Sequence, residues 1–161
     1  MKKIIQIIIS FILLGTSVSK AGDLSVAFGN FDYSDKSKKA SMLDLTYGFA
    51  ENKTSTFLGG VVPVFGAFVT ADSAAMIYSG AKIDYRFGSF VVTPSFTPGI
   101  YSKGDGKDLG HAIEFKSQIN LGFELGSNTN VSAGYSHVSN ASLGDKNPGA
   151  NSYSFNFLTR F

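Results

Sequence analysis

Beyond residue 21 no stretch of this chain holds 18 consecutive apolar residues, yet apolar and polar residues alternate with period two through most of it. A spanning helix is therefore unavailable, and the period is that of strands with two unlike faces. The clearest case is the final "NSYSFNFLTRF". Tyr153, Phe155, Phe157 and Phe161 share one face with Thr159, while Ser154, Asn156 and Arg160 share the other with Leu158. In "HAIEFKSQINLGFE", Ile113, Phe115, Ile119, Leu121 and Phe123 oppose Glu114, Lys116, Gln118, Asn120 and Glu124. With 15 Phe, 7 Tyr and 18 Gly, and without runs of strong helix formers, the chain is expected to be all-β.

The first residues follow a different rule. Lys2 and Lys3 precede a short apolar core from Ile4 to Leu14, and Ser19-Lys20-Ala21 is a small-residue cleavage pattern. Residues 1–21 are thus expected to be a cleavable signal peptide, leaving residues 22–161 as one exported domain. The absence of cysteine excludes a disulfide framework and a thiolate metal site. A net charge of +2 is too weak to argue for nucleic acid.

Eight alternating segments can be counted, at roughly 23–33, 40–50, 55–70, 75–87, 89–101, 110–125, 130–140 and 151–161. Alternation alone also suits a soluble sandwich with one wet face. The uniformly polar second faces, and an aromatic Phe161 ending the last strand, favour an eight-stranded antiparallel transmembrane barrel with its apolar face outward. Such a barrel is filled by side chains, so a porin is not expected. With the N-terminus periplasmic, "ENKTS", Gly88-Ser89 and "GSNTN" become short periplasmic turns, and "SKGDGKDLG" and "NASLGDKNPGAN" longer extracellular loops. The third segment is less regular, with Pro63 inside a run that is apolar on both faces.

The seventh segment places Val131, Ala133, Tyr135, His137 and Ser139 on one face. If the first three meet lipid, so do His137 and Ser139, at the extracellular end. Asn151 begins the returning strand on the same face, so an antiparallel neighbour brings it near His137. Polar groups against lipid are costly without a reason. A hydroxyl, a base and a group orienting that base are the parts of a serine hydrolase. His and Ser two apart on a strand point to the same side, about 6.5–7 Å apart at Cα. That spacing alone equally suits a rim histidine beside a serine.

The longer string "HVSNASLGDKNPGANSYS", with "PGIYSKGDGKDLGHAIEFKSQINLGFEL" before it, resembles the PagL-type lipid A deacylases, the acyloxyacyl hydrolase family of outer-membrane barrels. The resemblance implies Ser139 as nucleophile, His137 as general base, and Asn151 in the third catalytic position. Asn140, with backbone groups of Ala141 and Ser142, would line the oxyanion hole. It further implies hydrolysis of the ester-linked acyl chain at the 3-position of lipid A in the outer leaflet, with no metal and no cofactor. A homodimer is left open. The family pattern has an acid where this chain has Asn151; an amide can fix the imidazole tautomer but brings no full charge, and Asp145 in the same loop is an alternative partner.

Elsewhere, "GDGKDLG" lacks the context of a phosphate loop and the spacing of a calcium loop, although Lys103 and Lys107 are placed to meet lipid A phosphates. His111 reads as a rim residue, and Glu114, Lys116, Gln118 and Glu124 as polar packing inside the barrel. The alternative to an enzyme is a non-catalytic small outer-membrane barrel with a structural or adhesive role.

Overall fold

The alternation is realised as strands in which successive side chains point to opposite faces. The computed structural model describes residues 22–161, and the expected signal peptide lies outside the described residues. Ten strands follow one another: β1 (Asp23–Phe31), β2 (Ala40–Gly48), β3 (Thr54–Thr56), β4 (Gly59–Thr70), β5 (Ala75–Ile83), β6 (Tyr85–Phe87), β7 (Phe90–Ser102), β8 (Ile113–Leu125), β9 (Thr129–Ser139) and β10 (Ala150–Arg160). All pairings are antiparallel, and β2 pairs back onto β4, closing the sheet. The short β3 and β6 continue the staves of β2 and β5, so the described residues form an eight-stranded closed barrel, as expected from the sequence. The first and last described residues meet through Gly22 N–H donating to Phe161 O at 3.0 Å and Phe161 N–H donating to Gly22 O at 3.1 Å.

The polarity is inverted relative to a water-soluble protein. Phe28, Phe96, Ile100, Leu121, Phe123, Phe155 and Phe157 are exposed on the outer wall. Charged and amide groups fill the lumen. Lys82 Nζ donates to both Asp23 carboxylate oxygens at 2.7 Å, and Lys116 pairs with Asp44, which also accepts the Tyr78 hydroxyl. Toward the end that carries Ser139, the lumen turns apolar: Phe31, Phe68, Met76, Tyr101 and Val138 pack under Leu109, which reaches in from the β7–β8 loop. A cavity of about 50 Å3 remains among the polar groups, too small for a conducting pore.

Two sequence expectations change in detail. "ENKTS" is not the reversal; it holds a 3-10 turn, Ala50–Asn52, and then β3, and the chain reverses at Phe57-Leu58. Thr56 makes that reversal, its hydroxyl donating to Gly59 O at 2.9 Å and accepting the Leu58 N–H at 3.2 Å. Thr54–Thr56 therefore belongs to the second stave rather than the third. Pro63 sits where the neighbour of β4 changes from β2, at Gly48↔Val64, to β3, at Thr54↔Val61. A residue without an N–H is tolerated at such a break in the ladder.

Breaking a lumen pair from one side destabilises the barrel. Lys116→Met leaves the buried Asp44 carboxylate with only the Tyr78 hydroxyl, and breaking a buried pair from one side costs about 3–5 kcal/mol. The loss is expected as a lower urea midpoint for the heat-modifiable band on gels. Adding Asp44→Leu to Lys116→Met is expected to restore most of it, because neither charge then remains unpaired.

Candidate active site

β9 and β10 pair in a register that sets His137 directly opposite Asn151. Directly opposed residues share a face, with Cβ atoms about 4.5–5.5 Å apart. On β9 the inward positions Gly134, Ser136 and Val138 are buried, which turns Tyr135, His137 and Ser139 to the outer wall. Asn151, Tyr153 and Phe155 face the same way from β10. The outward face of His137, Ser139 and Asn151 expected from the alternation is thus the one observed.

His137 Nδ1 lies 2.8 Å from Asn151 Oδ1. A carbonyl oxygen only accepts, so this contact puts a proton on Nδ1, and Nε2 makes no hydrogen bond among the described residues. The same oxygen accepts the Tyr135 hydroxyl at 2.9 Å. Asn151 is held from behind: its carbonyl accepts the Tyr33 N–H at 2.9 Å, and its N–H donates to the buried Asp32 at 3.4 Å. Ser139 is two residues beyond His137 on the outer face, and no hydrogen bond joins them among the described residues. In unliganded enzymes such contacts are often long and tighten only around substrate. Asp145 makes no hydrogen bond or ion pair among the described residues, so Asn151 alone contacts the imidazole's Nδ1.

The chain after Ser139 is strongly organised. Asn140 is fully buried and its amide nitrogen donates to Leu109 O at 2.8 Å and Lys146 O at 2.9 Å. Its side-chain oxygen accepts the Ser142 N–H at 2.9 Å, and its own N–H donates to Asn147 Oδ1 at 3.1 Å. Ala141 and Ser142 both adopt left-handed backbone, with φ of 51° and 65°. The N–H of Ala141 is left without a partner among the described residues.

Around the site, Lys107 is engaged with Asp32 and Asp35 rather than free. Lys103 and Lys146 both reach Asp108, at 3.6 and 3.0 Å, from an exposed rim. Lys146 and the Gly110 N–H hold the Asp108 carboxyl below its ordinary value of 3.8, so this link between the two loops persists at neutral pH and is lost only as the medium turns more acidic than that. His111 Nδ1 accepts the Ile113 N–H at 2.9 Å at the rim, and Glu114 points into the lumen, fully buried.

The family model for lipid A 3-O-deacylase (PagL) matches residues 31–160. The chain belongs to that family. The solved outer membrane enzyme PagL superposes with a TM-score of 0.64 at 20% identity, over 85% of this chain and 98% of that one. A de novo designed transmembrane β-barrel gives 0.59 at 8% identity, covering 88% and 95%, and Neisserial surface protein A gives 0.52 at 13% identity, covering 88% and 96%. At these identities the likenesses speak for the barrel alone. No curated protein matches the chain in sequence. As a PagL-family barrel it is a protein of the outer membrane. The homodimer left open by the sequence gains no support from these findings.

Two residues at this PagL-family site escape sequence reasoning. Tyr135 reads as one more lipid-facing aromatic, and only the register of β9 against β10 brings its hydroxyl to Asn151. Gly149 reads as a turn glycine, but its φ is +61°, and a Cβ there would lie 2.7 Å from His137 Cε1 and 3.3 Å from Nε2. Gly149→Ala is therefore expected to displace the imidazole and strain the loop. In a deacylation assay kcat should fall by at least about tenfold, the order of a lost positioning contact, while heat-modifiable mobility stays intact.

Proposed function

We propose that this protein removes the acyl chain esterified at the 3-position of lipid A, using Ser139 as nucleophile, His137 as general base and Asn151 as the group that orients the base. The observation that carries this reading is the 2.8 Å contact from His137 Nδ1 to Asn151 Oδ1, made on the outer wall two residues from a serine in a chain of the lipid A 3-O-deacylase family.

That geometry supports the following chemistry. Ser139 Oγ adds to the ester carbonyl as its proton passes to His137 Nε2. The tetrahedral oxyanion is met by the unpartnered N–H of Ala141, which supports a backbone oxyanion donor; Asn140, its side chain engaged within the loop, shapes the turn that presents it. Collapse breaks the bond to the sugar oxygen, which takes the proton back from His137 and leaves as the 3-hydroxyl. Water then attacks the acyl-serine as its proton passes to the same nitrogen, and collapse breaks the bond to Ser139 Oγ, which takes that proton back and leaves a fatty acid and free Ser139. The residues named supply nucleophile, proton carrier and oxyanion donor.

An outer-wall position suits a substrate that never leaves the membrane. Below the site the wall has a trough of about 560 Å3 lined by Phe28, Leu121, Phe123, Ala133, Phe155 and Phe157. Ala133 forms its floor because it is the small residue between Leu121 on β8 and Phe155 on β10. Ala133 lies four residues below His137, about 13 Å along the strand, so the distal part of a long acyl chain hanging from the ester passes into the trough. A purely structural barrel needs neither the trough nor the polar cluster above it.

Mass spectrometry of lipid A incubated with the refolded protein in detergent tests the reading. Loss of one 3-linked acyl chain is expected for the wild type and not for Ser139→Ala or His137→Ala, all three showing heat-modifiable mobility. Unchanged lipid A from folded wild type, or cleavage surviving in Ser139→Ala, overturns it.

A further inference from the structure

Asn151 has to do with an amide what a carboxylate does without any choice of direction. A carboxylate offers the imidazole two equivalent oxygens. An amide has one acceptor end and one donor end of nearly the same shape, so it fits its site in two ways with opposite chemical outcomes. With the oxygen toward His137, Nδ1 carries the proton and Nε2 is a base. With the nitrogen there, Nδ1 must accept, the proton moves to Nε2, and the face toward Ser139 holds a donor that takes no proton from a hydroxyl.

His137 does not decide between these, because an imidazole satisfies either orientation by changing tautomer. Tyr135 does. Its hydroxyl reaches Asn151 Oδ1 at 2.9 Å, beside the His137 contact to the same oxygen at 2.8 Å. In the reversed orientation the amide would donate to the Tyr135 oxygen, and the phenolic proton would be left without an acceptor. Its surroundings on that face, Ala133 below it on β9 and Tyr153 and Phe155 on β10, belong to the lipid-facing wall. An unmade hydrogen bond is expensive in such surroundings. The ring itself is held: Tyr33 meets Tyr135 edge-on at 6.5 Å between centroids and lies 5.4 Å from Tyr153, whose hydroxyl accepts from Asn30 at 3.0 Å.

We propose that Tyr135 is a positioning residue which keeps the carbonyl oxygen of Asn151 turned toward His137, and so lets a neutral amide occupy the third catalytic position. The inference rests on the deacylase reading above. It does not concern the chemistry of Ser139, and it is specific to an amide.

Steady-state kinetics on lipid A in detergent, with Tyr135→Phe made in the wild type and in the Asn151→Glu background, test that specificity. In the wild type, Tyr135→Phe is expected to lower kcat about tenfold with KM little changed, the size of one lost hydrogen bond. In the Asn151→Glu background the same change is expected to cost less than about twofold, since either carboxylate oxygen serves. Equal losses in both backgrounds, or no loss in the wild type, overturn the proposal while leaving the deacylase reading intact; cleavage that survives Ser139→Ala overturns that reading instead. The 15N chemical shifts of the His137 ring, measured in micelles without substrate, give a second readout. They should report an Nδ1–H tautomer in the wild type and a growing Nε2–H fraction in Tyr135→Phe. A tautomer unchanged by Tyr135→Phe overturns the proposal whatever the turnover.

Discussion

In the hydrocarbon of a membrane no water is available to satisfy a backbone N–H or C=O, and most other features of this chain follow from that constraint. A sheet meets it only by closing on itself, which here depends on the β1–β10 and β2–β4 pairings. Closure in turn fixes the polarity of the two surfaces. The outer wall must be apolar, so the charged groups of alternating strands go to a narrow lumen, where most pair because they have lost their water, while Glu114 is buried there with neither carboxylate oxygen hydrogen-bonded among the described residues. Asp23 with Lys82, and Asp44 with Lys116 and Tyr78, are that solution. The same logic governs the site. On the lipid-facing wall Asn151 accepts from both His137 and Tyr135, so these three side chains satisfy one another, whereas Ser139 beside them makes no side-chain hydrogen bond among the described residues.

The loops at the Ser139 end convert a rigid barrel into a rigid turn. Leu109 is anchored by its side chain in the apolar top of the lumen, and its carbonyl receives Asn140. Asn140, next to Ser139, is thereby tied to the core through a single hydrogen bond, and Ala141 and Ser142 are held in left-handed backbone that non-glycine residues adopt at a cost of about 1–3 kcal/mol each. Strain of that kind persists only where neighbouring contacts outweigh it. Here Asn140 supplies four of them, two by its amide nitrogen, one by its side-chain oxygen and one by its N–H.

What the sequence reveals and conceals divides along physical lines. The period of two is a property of neighbouring residues, so the strands, their outward faces and the placing of His137, Ser139 and Asn151 on one wall are legible without coordinates. The reversal at Phe57-Leu58 is not, because its residues are apolar and the turn is made by the Thr56 side chain, whereas the polar "ENKTS" just before it has the composition of a turn. Direction within a side chain is also hidden. Asn140 follows Ser139 in the sequence, but its amide points into the loop toward Leu109 and Lys146, which only the packing of the β7–β8 and β9–β10 loops determines. Tyr135 fails to stand out for a related reason: a lipid-facing aromatic and a hydrogen-bonding phenol are the same residue until a partner is opposite.

The neutral amide of Asn151, in the third position of the proposed mechanism, is best understood from where the site lies. His137 and Asn151 are half-buried at the edge of an apolar wall. A carboxylate in that position would be partly desolvated in the resting enzyme, with a neutral imidazole as its companion and full compensation only once the imidazole is charged. An amide has no charge to desolvate at rest, and its oxygen already accepts from His137 and Tyr135. The consequence falls on the transition state. In the proposed mechanism the imidazolium that forms there would have a dipole beside it rather than a charge, so a larger share of the stabilisation would pass to the oxyanion donor. The loop that fixes Ala141 and the phenol that fixes Asn151 therefore belong to one arrangement: where charge is absent, orientation has to be secured by hydrogen bonds from both sides.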